Sequence, residues 1–376
     1  MKNRLSNIFL GSILLSISTG AAPSLLLGSE LVDYSAVAGA ALNISADSLV
    51  TNDLGALAAI GIGALTDTAN VYSGSGAVGT GDSGNSGNIY AGAGVSIAAN
   101  ATVKNVYAAA AVTLGAIGKA ENIYAGAAVT LGAGSSSHDV YAAAAITGAG
   151  ANSTTASTST ASTIDLYKEK FDIDGALQQM ASAQVSLSSL EANFILGVGM
   201  GDYIFDAGVH SGSALTIGAN SVIHFDGMDA ENPIWVINLD AALVVGAGTT
   251  FEIVNAGAGA SVIWNLNGAL TLGVGSKFMG TAFVKGAVAG ATSNVTCGNL
   301  FTTAAIGIGS IISTNCLATD SWSGSMNGLA YGIDITDGII SNKSLSPPVP
   351  LSEPSTSLII SSFALMFFVG RLRRKL

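Results

Sequence analysis

A seventeen-residue period constrains this chain more than any other feature. Asn88-Ile89-Tyr90, Asn105-Val106-Tyr107, Asn122-Ile123-Tyr124 and Asp139-Val140-Tyr141 start seventeen residues apart, and Asn70-Val71-Tyr72 precedes them. Inside a unit the residues alternate. Val106, Ala108, Ala110, Val112 and Leu114 are predicted to point one way, and Tyr107, Ala109, Ala111 and Thr113 the other. A period this short holds neither a helix pair nor a propeller blade, but it suits one turn of a β-helix, with coils about 4.8 Å apart. Like positions then form ladders: Tyr90, Tyr107, Tyr124 and Tyr141 in one column, Ser96, Thr113, Thr130 and Thr147 in another. An unstructured low-complexity segment has no reason to keep aliphatic residues at a fixed phase.

After residue 195 the pattern continues less regularly. Trp235, Trp264, Phe283 and Phe301 each precede an aliphatic-x-aliphatic-Gly turn, and Phe283 to Val288 and Phe301 to Ile306 keep the five-residue offset of Tyr107 to Val112. The two stretches read as coils of one solenoid. The 48 glycines among 376 residues agree with a repeat architecture, and charged residues are only 10 % of the chain, well below the roughly one quarter of an ordinary globular enzyme. Ser, Thr, Asn, Gly and Ala must therefore cover most of the surface. Six of the thirteen Lys and Arg lie near the termini, so the body is strongly acidic and unsuited to neutralising a nucleic-acid backbone.

Two segments break the pattern. Residues 151–163 are almost wholly Ser, Thr and Ala and read as a flexible connection. From Asp174 to Ala192 the spacing of Ala176, Met180, Ala183, Leu187 and Leu190 draws one apolar stripe along a helix, with Asp172 or Asp174 as its cap. Such a helix is expected to lie along the solenoid and cover apolar coil edges. The two cysteines, Cys297 and Cys316, are nineteen residues apart. That is one coil, and one rung of about 4.8 Å lies within disulfide range. A bridge between neighbouring coils is predicted, contributing roughly 3 kcal/mol.

Residues 1–22 have the order of a secretory signal: Lys2 and Arg4, an apolar stretch from Ile8 to Ile17, then small residues up to a cleavage point near Ala21 or Ala22. At the other end Pro347, Pro348, Pro350 and Pro354 precede an apolar run, Leu358 to Gly370, and the basic cluster Arg371 to Lys375. The order SEPSTS, apolar segment, basic residues resembles the PEP-CTERM sorting tail of bacterial exported proteins, with Ser352 where that motif has its first proline. The implied location is outside the cytoplasmic membrane, secreted or held at the cell surface, with membrane contact only through the tail.

Catalytic and metal signals are weak. His138, His210 and His224 lack metal-ligand spacing, and the glycines of residues 197–201 lack the lysine of a phosphate cradle. Asp202, Asp226, Asp229, Glu231 and Asp240 fall near predicted corners, where solvated acids are ordinary. No cofactor, metal or enzyme activity is expected. A polysaccharide-degrading β-helix enzyme would need clustered carboxylates on adjacent coils.

From about Ser186 to Ser310 the chain resembles the bacterial and fungal ice-binding protein family, which has a discontinuous right-handed β-helix with a long helix at its side. The resemblance rests on Gly201 to Phe205, on SALTIGANSVIHFDG, on the stretch from Asn232 to Ala289, and on VTCGNLFTTAAIGIG. It implies a mainly β fold, a right-handed solenoid with one long α-helix packed alongside, and adsorption to ice through a flat face carrying small residues and threonines. Carried onto this chain, the candidate ice-binding residues are Ser96, Thr113, Thr130, Thr147, Thr216 and Thr271, with Val244, Ala289 and Gly307 interrupting the column. The domain reading is a signal at 1–22, an N-terminal β-helical part at 23–162, a flanking helix at 163–194, C-terminal coils at 195–345 and a linker with sorting tail at 346–376. The partner implied is an ice crystal surface. The alternative is a structural or adhesive protein of the cell envelope or biofilm matrix, its tyrosine ladder in contact with extracellular polysaccharide.

Overall fold

The computed structural model describes residues 24–25, 31, 33–148, 152–158, 172–257, 260–291, 294–313, 333–336 and 339–342. The predicted signal, the sorting tail and Cys316 lie outside the described residues. The chain divides into a unit Met1–Ser341 and a unit Asn342–Leu376, and the first carries the fold. It is a β-solenoid with a flanking helix, as the repeat and the resemblance predicted. Among the described residues no helix is long and apolar enough to cross a membrane.

Short parallel strands stack coil on coil. Thr102–Ala108 pairs with Lys119–Ala125, which pairs with Ser136–Ala142, and like residues meet: Val106 with Ile123 and Val140, Tyr107 with Tyr124 and Tyr141. The alternating β-branched and alanine residues place Val106, Ala108, Val112 and Leu114 inside, fully buried. Ala110 departs from the expected inward set. It is only partly buried because the coil turns a corner there, between the strand ending at Ala108 and the one starting at Val112.

The order of the coils is not the order of the sequence. One face is a thirteen-stranded parallel sheet. From Leu42–Ile44 it runs outward through Ile60–Ile62, Val78–Gly79, Val95–Ile97, Val112–Leu114 and Val129–Leu131 to Ile146–Thr147. On its other side Leu42 lies against Ile306, and the sheet continues through Val288–Gly290, Leu270–Leu272, Leu243–Val245 and Leu215–Ile217 to Gly199–Met200. The first coil thus sits on the last. The joint is hydrogen-bonded like any other rung: the Gly39 amide donates to the Thr302 carbonyl at 2.8 Å, the Ile306 amide to the Ala41 carbonyl at 3.0 Å, and the buried Asn299 side chain to the Tyr34 carbonyl at 2.7 Å.

The two halves fill their interiors differently. The seventeen-residue coils enclose Val, Ile, Leu and Ala, whereas the wider coils between Phe205 and Phe278 hold an aromatic core of Phe205, Phe225, Trp235, Phe251, Trp264 and Phe278. Trp235 and Trp264 therefore do not share the position of Phe283, Phe301 and the tyrosines. Register puts Asn265, not Trp264, opposite Phe283, so the tryptophans point inward, and their indole N–H groups donate to the Phe205 and Met279 carbonyls at 3.0 and 2.8 Å. A buried indole that finds an acceptor avoids the cost of an unpaired polar group.

Helix α1, Ile173–Ser188, is capped by Asp172, whose carboxylate accepts the Gly175 amide at 2.8 Å. Its stripe of Ile173, Ala176, Met180, Ala183 and Leu187 is buried against Val37, Val236, Ile263, Phe283 and Phe301 on the outside of the solenoid. Sixteen residues rise about 24 Å, the height of about five rungs. Accordingly it crosses five strands that are consecutive in space, from Ile234–Leu239 to Tyr34–Ala38, bridging the joint. Side chains from the coils reach the last turns of the helix. Asn238 donates to the Leu187 carbonyl at 2.8 Å, and Asn265 reaches the Gln184 carbonyl at 3.3 Å and the Ser188 hydroxyl at 3.0 Å.

Candidate functional face

On the thirteen-stranded sheet Val95–Ile97, Val112–Leu114, Val129–Leu131, Leu215–Ile217 and Leu270–Leu272 have their outer residues buried and their middle residue exposed. Parallel pairing stacks these middle residues into one column. Thr147, Thr130, Thr113 and Ser96 are consecutive neighbours, followed by Gly79, Gly61 and Asn43. Past the joint the column continues through Gly307, Ala289, Thr271, Val244, Thr216 and Gly199. All six hydroxyl residues singled out in the sequence thus stand in a single line on one sheet, and Val244, Ala289 and Gly307 interrupt it at the places predicted.

Sequence reasoning missed the middle of the line. Leu42-Asn43-Ile44, Ile60-Gly61-Ile62 and Val78-Gly79 repeat the aliphatic-x-aliphatic signature without a hydroxyl, and that signature was the available clue. It also missed the flanks. One residue before these strands an alanine recurs from Ala41 to Ala145, Gly94 excepted, and again from Ala214 to Ala305. Rungs are tied here by regular bonds, the amides of Val95, Val112 and Val129 donating to the carbonyls of Ala111, Ala128 and Ala145, each at 3.0 Å. On the other flank glycine is demanded by space. A Cβ at Gly115 would come within 2.6 Å of the Ala98 carbonyl carbon, and one at Gly246 within 2.5 Å of the Ala219 nitrogen. The surface is therefore a line of mostly short side chains between alanine on one flank and, at most rungs, glycine on the other, with no charged residue in the column or the alanine flank. Methyls and hydroxyls repeat about every 4.8 Å.

The tyrosines form the expected ladder on the face that carries α1. Tyr90, Tyr107, Tyr124 and Tyr141 stack with ring centroids 4.9–5.1 Å apart, and Tyr72 adds a fifth ring at 5.0 Å. Tyr34 meets Tyr72 edge-on at 5.9 Å. Because each ring covers its neighbour, Tyr107 is only 8 % exposed. Beside the rings Asn122, Asn105 and Asn88 pass hydrogen bonds from rung to rung at 2.8 and 2.9 Å. At the inner end burial and the Asp53 charge push the Tyr72 hydroxyl above its ordinary range, and burial raises Asp53 in turn.

The acids and histidines do not converge. Among the described residues no group of three His, Cys, Asp or Glu could hold a metal ion. Asp202 accepts the Val222 amide at 2.8 Å. Asp226 accepts the Met228 amide at 2.9 Å and the Asn255 side chain at 3.0 Å, bonds that hold its carboxyl below the usual range. His224 pairs with Glu252 at 3.6 Å and His138 with Asp139 at 3.1 Å, in different coils. His210 is buried between Phe194 and Phe205, its Nε2 bonded to the Asp206 carbonyl at 2.8 Å, and burial lowers its proton affinity.

The sheet thus presents a regular, charge-free column on a parallel β-solenoid. Residues 127–313 match the Ice-binding-like family. Those residues include Thr130, Thr147, Thr216 and Thr271. Solved structures similar to the chain include an ice-binding protein from the Antarctic ascomycete Antarctomyces psychrotrophicus, at 21 % identity over 54 % of this chain and 92 % of that one, with a TM-score of 0.35. Another is an ice-binding protein from an Arctic yeast, at 12 % identity over 75 % of this chain and 90 % of that one, TM-score 0.40. A third is an ice binding protein from an Antarctic biological consortium, at 11 % identity over 80 % and 93 %, TM-score 0.41. No curated protein sequence matches the chain.

Proposed function

We propose that this chain is an exported ice-binding protein that adsorbs to ice through the thirteen-stranded face, with Ser96, Thr113, Thr130, Thr147, Thr216 and Thr271 as contact residues. The observation that carries the reading is their common column. A stiff sheet presenting hydroxyls and methyls at a constant interval can hold surface water in a lattice-like order, and the absence of charge leaves that water undisturbed. The family match over residues 127–313 supports the same reading. No rearrangement is needed on binding, because the spacing is fixed by backbone hydrogen bonds. Export is supported by the signal-like residues 1–22 and the PEP-CTERM-like tail, and it suits the Cys297–Cys316 bridge. Cys297 carries no free thiol, and mass spectrometry of the non-reduced protein is expected to find the two cysteines joined.

Thermal hysteresis, ice shaping and recrystallisation inhibition test the function. Thr113→Arg and Thr130→Arg place a bulky cation on an exposed position and are expected to abolish ice shaping while the circular dichroism spectrum stays that of the wild type. Retained shaping in both variants excludes the N-terminal half of the column as the ice site, and a wild-type chain without any ice activity refutes the function itself. The adhesive, polysaccharide-binding alternative gains no specific support from the ladder, since the ring faces a sugar would stack on already cover one another.

A further inference from the structure

The tyrosine ladder has no part in the proposed ice face, yet it holds more chemistry than packing requires. Tyr141, Tyr124, Tyr107, Tyr90 and Tyr72 form one unbroken stack, with neighbouring planes within 10° of parallel and centroids 4.9–5.1 Å apart. Phenylalanine would fill the column as well. A phenol, unlike a phenyl ring, gives up one electron readily, and rings this close exchange electrons. An oxidised phenol is a strong acid, so the hole settles where a base can take the hydroxyl proton. The row of side chains beside the rings supplies one. Asn122, Asn105, Asn88 and Asn70 are bonded in series, and the Asn70 amide donates to the Asp53 carboxylate at 3.0 Å. Asp53 also accepts the Tyr72 hydroxyl, from one coil back. At the same place before Tyr90, Tyr107, Tyr124 and Tyr141 the register puts Asn70, Asn88, Asn105 and Asn122, amides that do not take up a proton. Asp139, the other carboxylate of the row, stands in the coil of Tyr141 itself and pairs with His138 at 3.1 Å. Burial raises the proton affinity of Asp53.

We propose that the ladder is a one-electron relay that ends in a redox site formed by Tyr72 and Asp53. A diffusible one-electron oxidant, an inorganic radical such as azide, takes one electron from a ring of the stack and leaves as the azide anion. The hole then passes from ring to ring, each transfer moving one electron the opposite way. At Tyr72 the O–H bond breaks and its proton goes to the Asp53 carboxylate, which leaves a neutral phenoxyl radical beside a neutral carboxylic acid. Both groups are partly buried, and a site withdrawn from water favours a neutral pair over a ring cation facing a carboxylate. The other rungs offer an asparagine in place of that base, so the hole does not settle there.

Radical mapping tests this. The full chain is exposed to radiolytic azide radicals with a nitroso spin trap present, and the trap adducts are located by peptide mass spectrometry. In the wild type they are expected to concentrate on Tyr72. Asp53→Asn, which puts in the residue that the following coils use, is expected to lower the Tyr72 share about tenfold or more and to spread adducts over Tyr90, Tyr107, Tyr124 and Tyr141. Tyr107→Phe keeps the stack but removes one oxidisable ring, and is expected to move adducts from Tyr72 to Tyr124 and Tyr141. Circular dichroism checks that both variants fold, and should Asp53→Asn fail to, Tyr107→Phe still decides whether the stack relays. Wild-type adducts that simply follow ring exposure overturn the proposal. So does a Tyr72 share that either folded variant leaves unchanged, which would mark the stack as packing alone.

Discussion

Ile117 holds φ at 58° with its side chain 57 % exposed. Equivalent corners of other coils place Asn100 and Asn220 at φ 57°, and Gly134, Gly248 and Gly275 near 67°, residues that enter the left-handed region at little cost. A β-branched residue there is strained and gains nothing from burial. Ile117→Asn is therefore expected to stabilise the protein by about 1 kcal/mol, read as a raised midpoint in urea with an unchanged slope. His210 gives a second prediction at this scale. Its folded proton affinity lies below its ordinary value of 6.5, so the unfolded chain takes up the proton first. Stability is then complete above about pH 6.5 and declines as the pH falls from there. Melting temperatures between about pH 7.5 and pH 5 are expected to fall less steeply in His210→Phe than in the wild type, the aromatic ring still packing on Phe194.

Among the elements, α1 depends on one missing side chain. A Cβ at Gly55 would come within 2.7 Å of the Ile173 Cδ1 and 3.0 Å of the Tyr34 ring. Gly55→Ala is expected to destabilise by about 1–2 kcal/mol, and by less when Ile173 is already alanine, a coupling that a double-mutant cycle in urea measures. Much of this element was legible in the sequence. The spacing of Ala176, Met180, Ala183 and Leu187 set its inner face, and Asp172 is one of the two caps foreseen, because both signals are local. Its landing site was not legible. Val37, Phe301 and Phe283 come together only after coils from opposite ends of the sequence have stacked, and no local pattern records that. Trp235 and Trp264 were grouped with Phe283 and Phe301 for a similar reason. An aromatic before a turn looks alike whether it faces in or out, and only the register with Asn265 separates them.

At the scale of the molecule, Ser96, Thr113, Thr130 and Thr147 fell on one line because a constant period forces equal positions to pair, and Thr216 and Thr271 joined them through the resemblance. The resemblance also marked the interruptions at Val244, Ala289 and Gly307, yet neither argument reached the coils that lack a hydroxyl. Asn43, Gly61 and Gly79 have the aliphatic frame of the column but not its chemistry, so they were seen only once the sheet had been traced. The column holds its unbroken run of hydroxyls, Ser96 to Thr147, in the four outermost coils on one side of the joint.

That placement bears on how such a molecule can change over generations. Because the opening coil rests on the closing one at the centre, duplicated seventeen-residue units enter beyond the reach of α1, at the Thr147 tip. Each copy lengthens the rod there and brings one more threonine and one more tyrosine, while the splinted middle keeps its packing. Reach can be selected almost independently of stability.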